Sequence, residues 1–152
     1  MRQFLRPFRT ILPNFAALRL AHAVLFQAAM EKITSFRQLL VWQKSVDLAA
    51  RCYKTARKLP AAEQPVLGYQ MRKSAVSMPS NIAEGFSRHS TAFYIQHLWM
   101  SHASGAELET QVEVGRRVEL IDQREADVIL ADAQEIGRMI NGLVRSLERC
   151  RC

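Results

Sequence analysis

With 152 residues, 49% hydrophobic and 23% charged, and only six Gly and five Pro, the chain has the composition of one globular domain, which excludes a disordered or fibrous protein. Its apolar runs are a handful of residues long against the roughly 20 that a membrane-spanning helix needs, so no membrane partner is expected. Lys and Arg total 21 against 14 acids, and the resulting +7 favours polyanionic partners.

That charge is unevenly placed. Residues 1–30 carry Arg2, Arg6, Arg9 and Arg19 and no acid, whereas residues 31–90 hold 10 basic and 4 acidic side chains and residues 91–152 hold 7 and 10. The leading segment also contains Phe4, Phe8, Phe15 and Phe26, four of the seven phenylalanines in the chain, which sets its composition apart from that of residues 31–152. Arg19 and His22 interrupt the stretch from Phe15 to Phe26, which argues against a secretory signal. An Arg-rich, acid-free segment has the composition of an organellar presequence; the preferred reading is an upstream stretch with initiation at Met30, immediately before regular amphipathic patterning begins. Residues 1–30 are therefore read as an extension outside the fold, and residues 31–152 as the folded domain. Cys52, Cys150 and Cys152 cannot build a disulfide framework, which points to a reducing, cytoplasmic compartment.

From about Leu39 to Leu59, the residues Trp42, Val46, Ala49, Tyr53 and Ala56 are spaced by alternating four and three, the period of one apolar helix stripe. At about 100° per residue, Lys44, Arg51 and Lys58 fall on the opposite, solvated side. Pro60 and Pro65 bracket a short connection. Leu67, Met71, Ala75, Met78 and Ile82 then form a second stripe that contains Pro79. Proline removes a backbone donor and crowds the carbonyl four residues earlier, so a kink near Ala75–Pro79 is expected, or a restart capped by Ser80 or Asn81.

Ser90 is the expected cap of a long third helix, with the stripe Tyr94, Leu98, Ser101, Gly105, Leu108 and Val112. Asp122 and Glu125 have capping-box spacing before a fourth, with the stripe Ile129, Ala133, Ile136, Ile140, Leu143 and Leu147. Arg138, Arg145 and Arg149 lie opposite that stripe, and Gly137 and Gly142 inside the helix imply tight packing. No alternating run bounded by turn signals is present, so no strand is expected. Four helices with short connections predict an all-α, antiparallel up-down-up-down four-helix bundle whose second helix is kinked near Pro79.

Reactive chemistry is sparse. No Glu-x-x-His pair of the kind that builds di-iron bundle sites is present, and His97 and His102, five residues apart, diverge by about 140°. They read as surface or boundary histidines. Cys150 and Cys152 lack a second ligand pair, and no nucleophile elbow or phosphate-binding Gly loop occurs. No metal, cofactor or catalytic residue is assigned, and a non-enzymatic protein is expected. Glu113 and Arg117 have ion-pair spacing. A buried Glu109 would need a basic partner on another helix.

Three ordered blocks, VWQKS at Val41–Ser45, LGYQMRKSAVSMPSNIAEG at Leu67–Gly85 and ELETQ at Glu107–Gln111, are similar to the 23S rRNA intervening-sequence protein family. The resemblance runs from about Ser35 to Leu147, and Ser77–Gly85 is its most specific part. Where the family usually has Glu-Phe-x-x-Phe-Leu followed by Ala and Gly-Ser, this chain has Phe93, Tyr94, His97, Leu98, Ser101, Ala103 and Ser104. The resemblance implies a small four-helix bundle assembled as a ring-shaped homopentamer. It also implies a relation to the accessory variability proteins of diversity-generating retroelements, which associate with nucleic acid and a reverse transcriptase.

The matched residues also have readings of their own. Pro79, Ser80, Asn81 and Glu84 cluster where proline frees backbone groups, so a structural role is assigned to them. Trp42 reads as core rather than a base-stacking platform. The candidate nucleic-acid contacts are the basic residues of the first two helices and the loop after them: Arg51, Lys54, Lys58, Arg72, Lys73 and Arg88. The function expected is non-catalytic binding of RNA or DNA by a homo-oligomer, a pentamer by resemblance. The alternative is an oligomeric protein-interaction scaffold whose basic face contacts an acidic partner.

Overall fold

The computed structural model describes residues 33–149. The readings of residues 1–30, including initiation at Met30, and of Cys150 and Cys152 lie outside the described residues. The chain divides at Thr34/Ser35, and the unit from Ser35 onward is helical. Its four long helices are α1 (Leu40–Ala56), α2 (Tyr69–Ser87), α3 (Thr91–Arg117) and α4 (Gln123–Arg149). A 3₁₀ turn at Phe36–Gln38 precedes α1, and a π-helical turn at Gln64–Gly68 leads into α2. Among the described residues there is no strand, and no helix is long and apolar enough to cross a membrane.

The stripes of α2, α3 and α4 are buried largely as their spacing predicts. Met71, Met78, Ile82, Leu98, Leu108, Val112, Ile129, Ile136 and Ile140 are all at most 1% exposed. In the last turns of α4, Val144 takes the core position, and Leu143 and Leu147 are half-buried at its edge.

Helix α1 departs from expectation. Its buried face is Val41, Ser45, Leu48, Ala49, Cys52, Thr55 and Ala56, while Val46 and Tyr53 are exposed and Trp42 is half-buried. Three small polar or thiol side chains made the true stripe look hydrophilic. Ser45 donates to the Val41 carbonyl at 2.7 Å, and Thr55 donates to the Glu125 carboxylate, so neither hydroxyl is buried without a partner. Trp42 stacks edge-on against Phe36 at 5.2 Å.

Helix ends are set by local hydrogen bonds. Asp122 Oδ1 accepts from the Arg124 and Glu125 amides at 2.9 and 3.2 Å, the expected cap of α4. Glu125 does not complete a reciprocal box, because its carboxylate is drawn to Thr55 and Lys58 on α1. Ser90 precedes α3 in extended conformation but makes no side-chain cap bond. The last carbonyls of α1 are closed by Gln64, whose amide donates to Ala56 O at 2.7 Å and Leu59 O at 3.0 Å.

Helix α2 does not restart at Pro79; it is helical on both sides of a buried proline. Ser80 and Asn81 are not caps but donate backwards, to Val76 O at 2.8 Å and Ser77 O at 2.9 Å. Small groups bring α2 and α3 together. Ser101 donates to Met78 O at 3.0 Å and Ser104 to Ser77 Oγ at 2.9 Å. At Gly85 an added Cβ would lie 2.6 Å from His97 Cβ.

The two α4 glycines behave differently from expectation. A Cβ at Gly137 would make ordinary contact with His102, and one at Gly142 would meet nothing within 4 Å. Gly85→Ala is therefore expected to destabilise the protein by about 1–3 kcal/mol through overpacking. Gly142→Ala is expected to stabilise it by up to about 1 kcal/mol through helix propensity. Urea unfolding of both variants beside the parent checks the opposite signs.

Candidate nucleic-acid interface

The α1 side chains taken as solvated are ion-paired to α4. Lys44 meets Glu135, Arg51 meets Asp132 and Lys58 meets Glu125, each at 3.1 Å. Numbers that rise along α1 thus meet numbers that fall along α4. The Arg51 contact uses Nε, which leaves its terminal nitrogens unengaged among the described residues. Burial pushes the Glu125 carboxyl up, but hydrogen bonds from Thr55 and Lys58 outweigh it and leave the group below the ordinary carboxylate range.

Between these helices lies an open groove of about 410 Å³ lined by Arg51, Lys58, Arg124, Asp122, Glu125 and Val128. Two of the predicted contacts are therefore brought together, with Arg124 beside them. Arg124 follows the α4 cap and makes no ion pair among the described residues. Lys54, between Arg51 and Lys58 on α1, is exposed and likewise has no acidic partner among the described residues.

The other three predicted contacts lie elsewhere. Arg72 is half-buried and donates to the Gln64 side chain and backbone, both at 3.1 Å, where it braces the α1–α2 connection. Lys73 is exposed on α2. Arg88 pairs with Glu84 and lies over the Phe93 ring at 5.9 Å. Sixteen residues of helical rise, about 24 Å, separate Arg72 from Arg88.

The Ser77–Gly85 motif is occupied in helix packing. Glu84 receives Arg88 and lies 3.3 Å from His97 Nε2, and these contacts, Arg88 first, hold its carboxyl below the ordinary range. His97 is 7% exposed, a buried residue rather than a surface or boundary one. Its Nδ1 faces the Phe93 carbonyl at 2.9 Å.

Cys52 is fully buried, and burial pushes its thiol up to about 12, far from a thiolate nucleophile. Burial likewise raises the Tyr94 hydroxyl to about 12. Among the described residues no three His, Cys, Asp or Glu side chains gather to hold a metal ion.

At the far end of α3, Glu113 forms the expected pair with Arg117 and a second with Arg116, both at 2.7 Å. Arg116 first and then Arg117 lower its carboxyl from 4.5 to about 2. A depressed folded value contributes stability above the unfolded value, and that stability disappears as pH falls through the folded one. The difference in melting temperature between the parent and Glu113→Gln should be largest near neutrality and vanish by about pH 2. Thermal melts across that range check it.

The family model described as 23S rRNA-intervening sequence protein matches residues 37–142. A solved structure similar to this chain is that of a protein of unknown function from the S23 ribosomal protein family of Bacteroides thetaiotaomicron. It is 27% identical with a TM-score of 0.65, and the match covers 69% of this chain and 98% of that one. No curated protein matches. The chain belongs to the 23S rRNA-intervening sequence protein family.

Proposed function

We propose that this family member is a non-catalytic, self-associating four-helix bundle that binds RNA or DNA through phosphate contacts. The observation that carries the reading is the α1–α4 groove, where Arg51 and Lys58 converge with Arg124, which has no ion pair among the described residues, beside the exposed Lys54. Lys73 adds charge on α2, and Arg72 and Arg88 act by holding helix ends. The bundle is read as antiparallel and up-down-up-down, supported by the opposed numbering of the α1–α4 and α2–α3 contacts, with α2 bent at Pro79. A pentameric ring and a protein partner such as a reverse transcriptase are proposed from the family relationship, and a cytoplasmic location from the cysteine content.

Phosphate binding of this kind is sequence-tolerant and weakens linearly in log affinity against log salt. Gel shifts of structured RNA and duplex DNA should show retardation at low salt that fades as salt rises. Lys54→Glu combined with Arg124→Glu, which breaks no ion pair, should weaken binding and flatten the salt slope. Absence of any retardation at low salt overturns nucleic-acid binding, and unchanged affinity in the double variant overturns the groove. Light scattering that finds only monomer overturns self-association.

A second reading, a protein-interaction scaffold, is favoured by the large apolar side chains left outside the core. Tyr69, Phe93 and Met100 are 52%, 50% and 48% exposed.

A further inference from the structure

Charge in α4 is segregated along the helix. Its first half carries Glu125, Asp127, Asp132 and Glu135, three of which engage α1. From Ile136 to Arg149 it carries Arg138, Arg145 and Arg149 and one acid, Glu148. All three arginines are exposed. Among the described residues none pairs with an acid; Arg149 donates to the Arg145 carbonyl at 3.2 Å. The helix dipole favours cations only in the last turn, which accounts for Arg149 and not for Arg138.

Two further features lie on this face. Gly142 is exposed beside Arg138, Arg145 and Arg149 at helical spacing, and a Cβ there would meet nothing. A helix-interior glycine weakens the helix, and no close packing among the described residues calls for one here. On a contact surface it lets another backbone come close. The second feature is Trp99 of α3, 46% exposed. Its ring meets His102 edge-on at 5.9 Å, and Asn141 of α4, flanked by Arg138 and Arg145, donates to His102 Nε2 at 3.3 Å. An exposed aromatic plate is thus continuous with an uncompensated arginine row.

We propose that Trp99 and the α4 arginines Arg138, Arg145 and Arg149 form a contact surface for single-stranded nucleic acid, with a base stacked on Trp99 and phosphates on the arginines. An acidic peptide would pair the arginines but leave the tryptophan uncovered; a single strand uses both. The proposal rests on nucleic-acid binding as the function of this bundle and assigns it a second surface, a preferred strandedness and a stacking residue.

The test uses the full chain with labelled oligothymidylate and a duplex of equal length. Trp99→Leu should weaken single-strand binding about fivefold to a hundredfold, the range of one base–aromatic stack, and change duplex binding by less than about twofold. Arg138→Glu/Arg145→Glu/Arg149→Glu should weaken single-strand binding more than Lys54→Glu/Lys73→Glu/Arg124→Glu, an equal change in charge. In a Trp42→Phe background, which leaves Trp99 as the one tryptophan, oligothymidylate should quench the emission. Circular dichroism checks that each variant is folded. Unquenched emission, or unchanged single-strand affinity in Trp99→Leu, overturns the proposal. So does equal loss in the two triple variants, which would mean that net charge alone matters. If the α4 triple instead changes the mass measured by light scattering and leaves oligonucleotide binding intact, the face belongs to a second copy of the chain. Loss confined to the Lys54, Lys73 and Arg124 variant overturns this surface and leaves the groove standing, whereas a parent that binds no nucleic acid overturns both.

Discussion

At Gly85 the α2 backbone comes so close to α3 that no side chain larger than hydrogen fits against His97. The rest of that seam is built to the same scale. Ser74, Ser77, Ser101 and Ser104 lie between the two helices, and each hydroxyl has a partner across or along the seam. Small polar residues permit the close approach, and a buried hydroxyl without a partner would cost more than it contributes. Ser74 donates to Glu107 and accepts from Gln111, so the seam continues to an exposed carboxylate and a half-buried amide at its rim. The Ser77–Gly85 motif is the α2 side of this contact, and its polar residues are accounted for by packing before any ligand is considered. The departure from the family pattern at Ser101 falls on the α3 side of the same seam, where Ser101 and the matching Ser104 both hydrogen-bond to α2.

A second constraint is electrostatic and runs between the first and last helices. Each of Lys44, Arg51 and Lys58 meets an acid of α4. These pairs are part-exposed, and exposed pairs contribute little to stability. Their larger effect is to set which cations remain available. Along the chain, residues 31–90 look basic and residues 91–152 acidic; folded, the basic helix α1 lies against the acidic half of α4, and much of that contrast cancels. Among the described residues, the cations that form no ion pair include Lys54, Arg57, Lys73, Arg124 and the distal α4 arginines. Charge counted by segment is therefore a poor guide to a charged surface when the segments pack on each other.

The same reasoning separates what was legible in the sequence from what was not. The α3 stripe was readable because Tyr94, Leu98, Ser101, Gly105, Leu108 and Val112 keep an unbroken four-three spacing, although Phe93, Trp99 and Met100 lie exposed off it. The α4 cap was readable because Asp122 acts within three residues of itself. The α1 face was missed because Ser45, Cys52 and Thr55 occupy it, and their burial depends on partners, Val41 O and Glu125, that residue type alone does not reveal. The engagement of Gln64 with Arg72 and the α1 terminus was missed for a related reason: a glutamine in a turn carries no signal of its own. Gly142 is the reverse case, since its residue type was informative and the inferred cause, internal packing, was not.

Helix α4 thus divides into two parts by the same rule. Acids in a helix's first turns are favoured by its dipole, and α1 supplies cations opposite them, so that half is held by charges it also neutralises. Beyond Ile136 the inward face remains apolar, with Ile140 and Val144 buried, while the outward face carries, among the described residues, arginines with no acidic partner and a glycine whose added Cβ would meet nothing within 4 Å. Packing fixes the helix through one side and leaves the chemistry of the other unconstrained by folding. Substitutions there cost the fold little, no contact among the described residues accounts for Gly142, and a polyanion held by Arg138 and Arg145 would bring a backbone close to it.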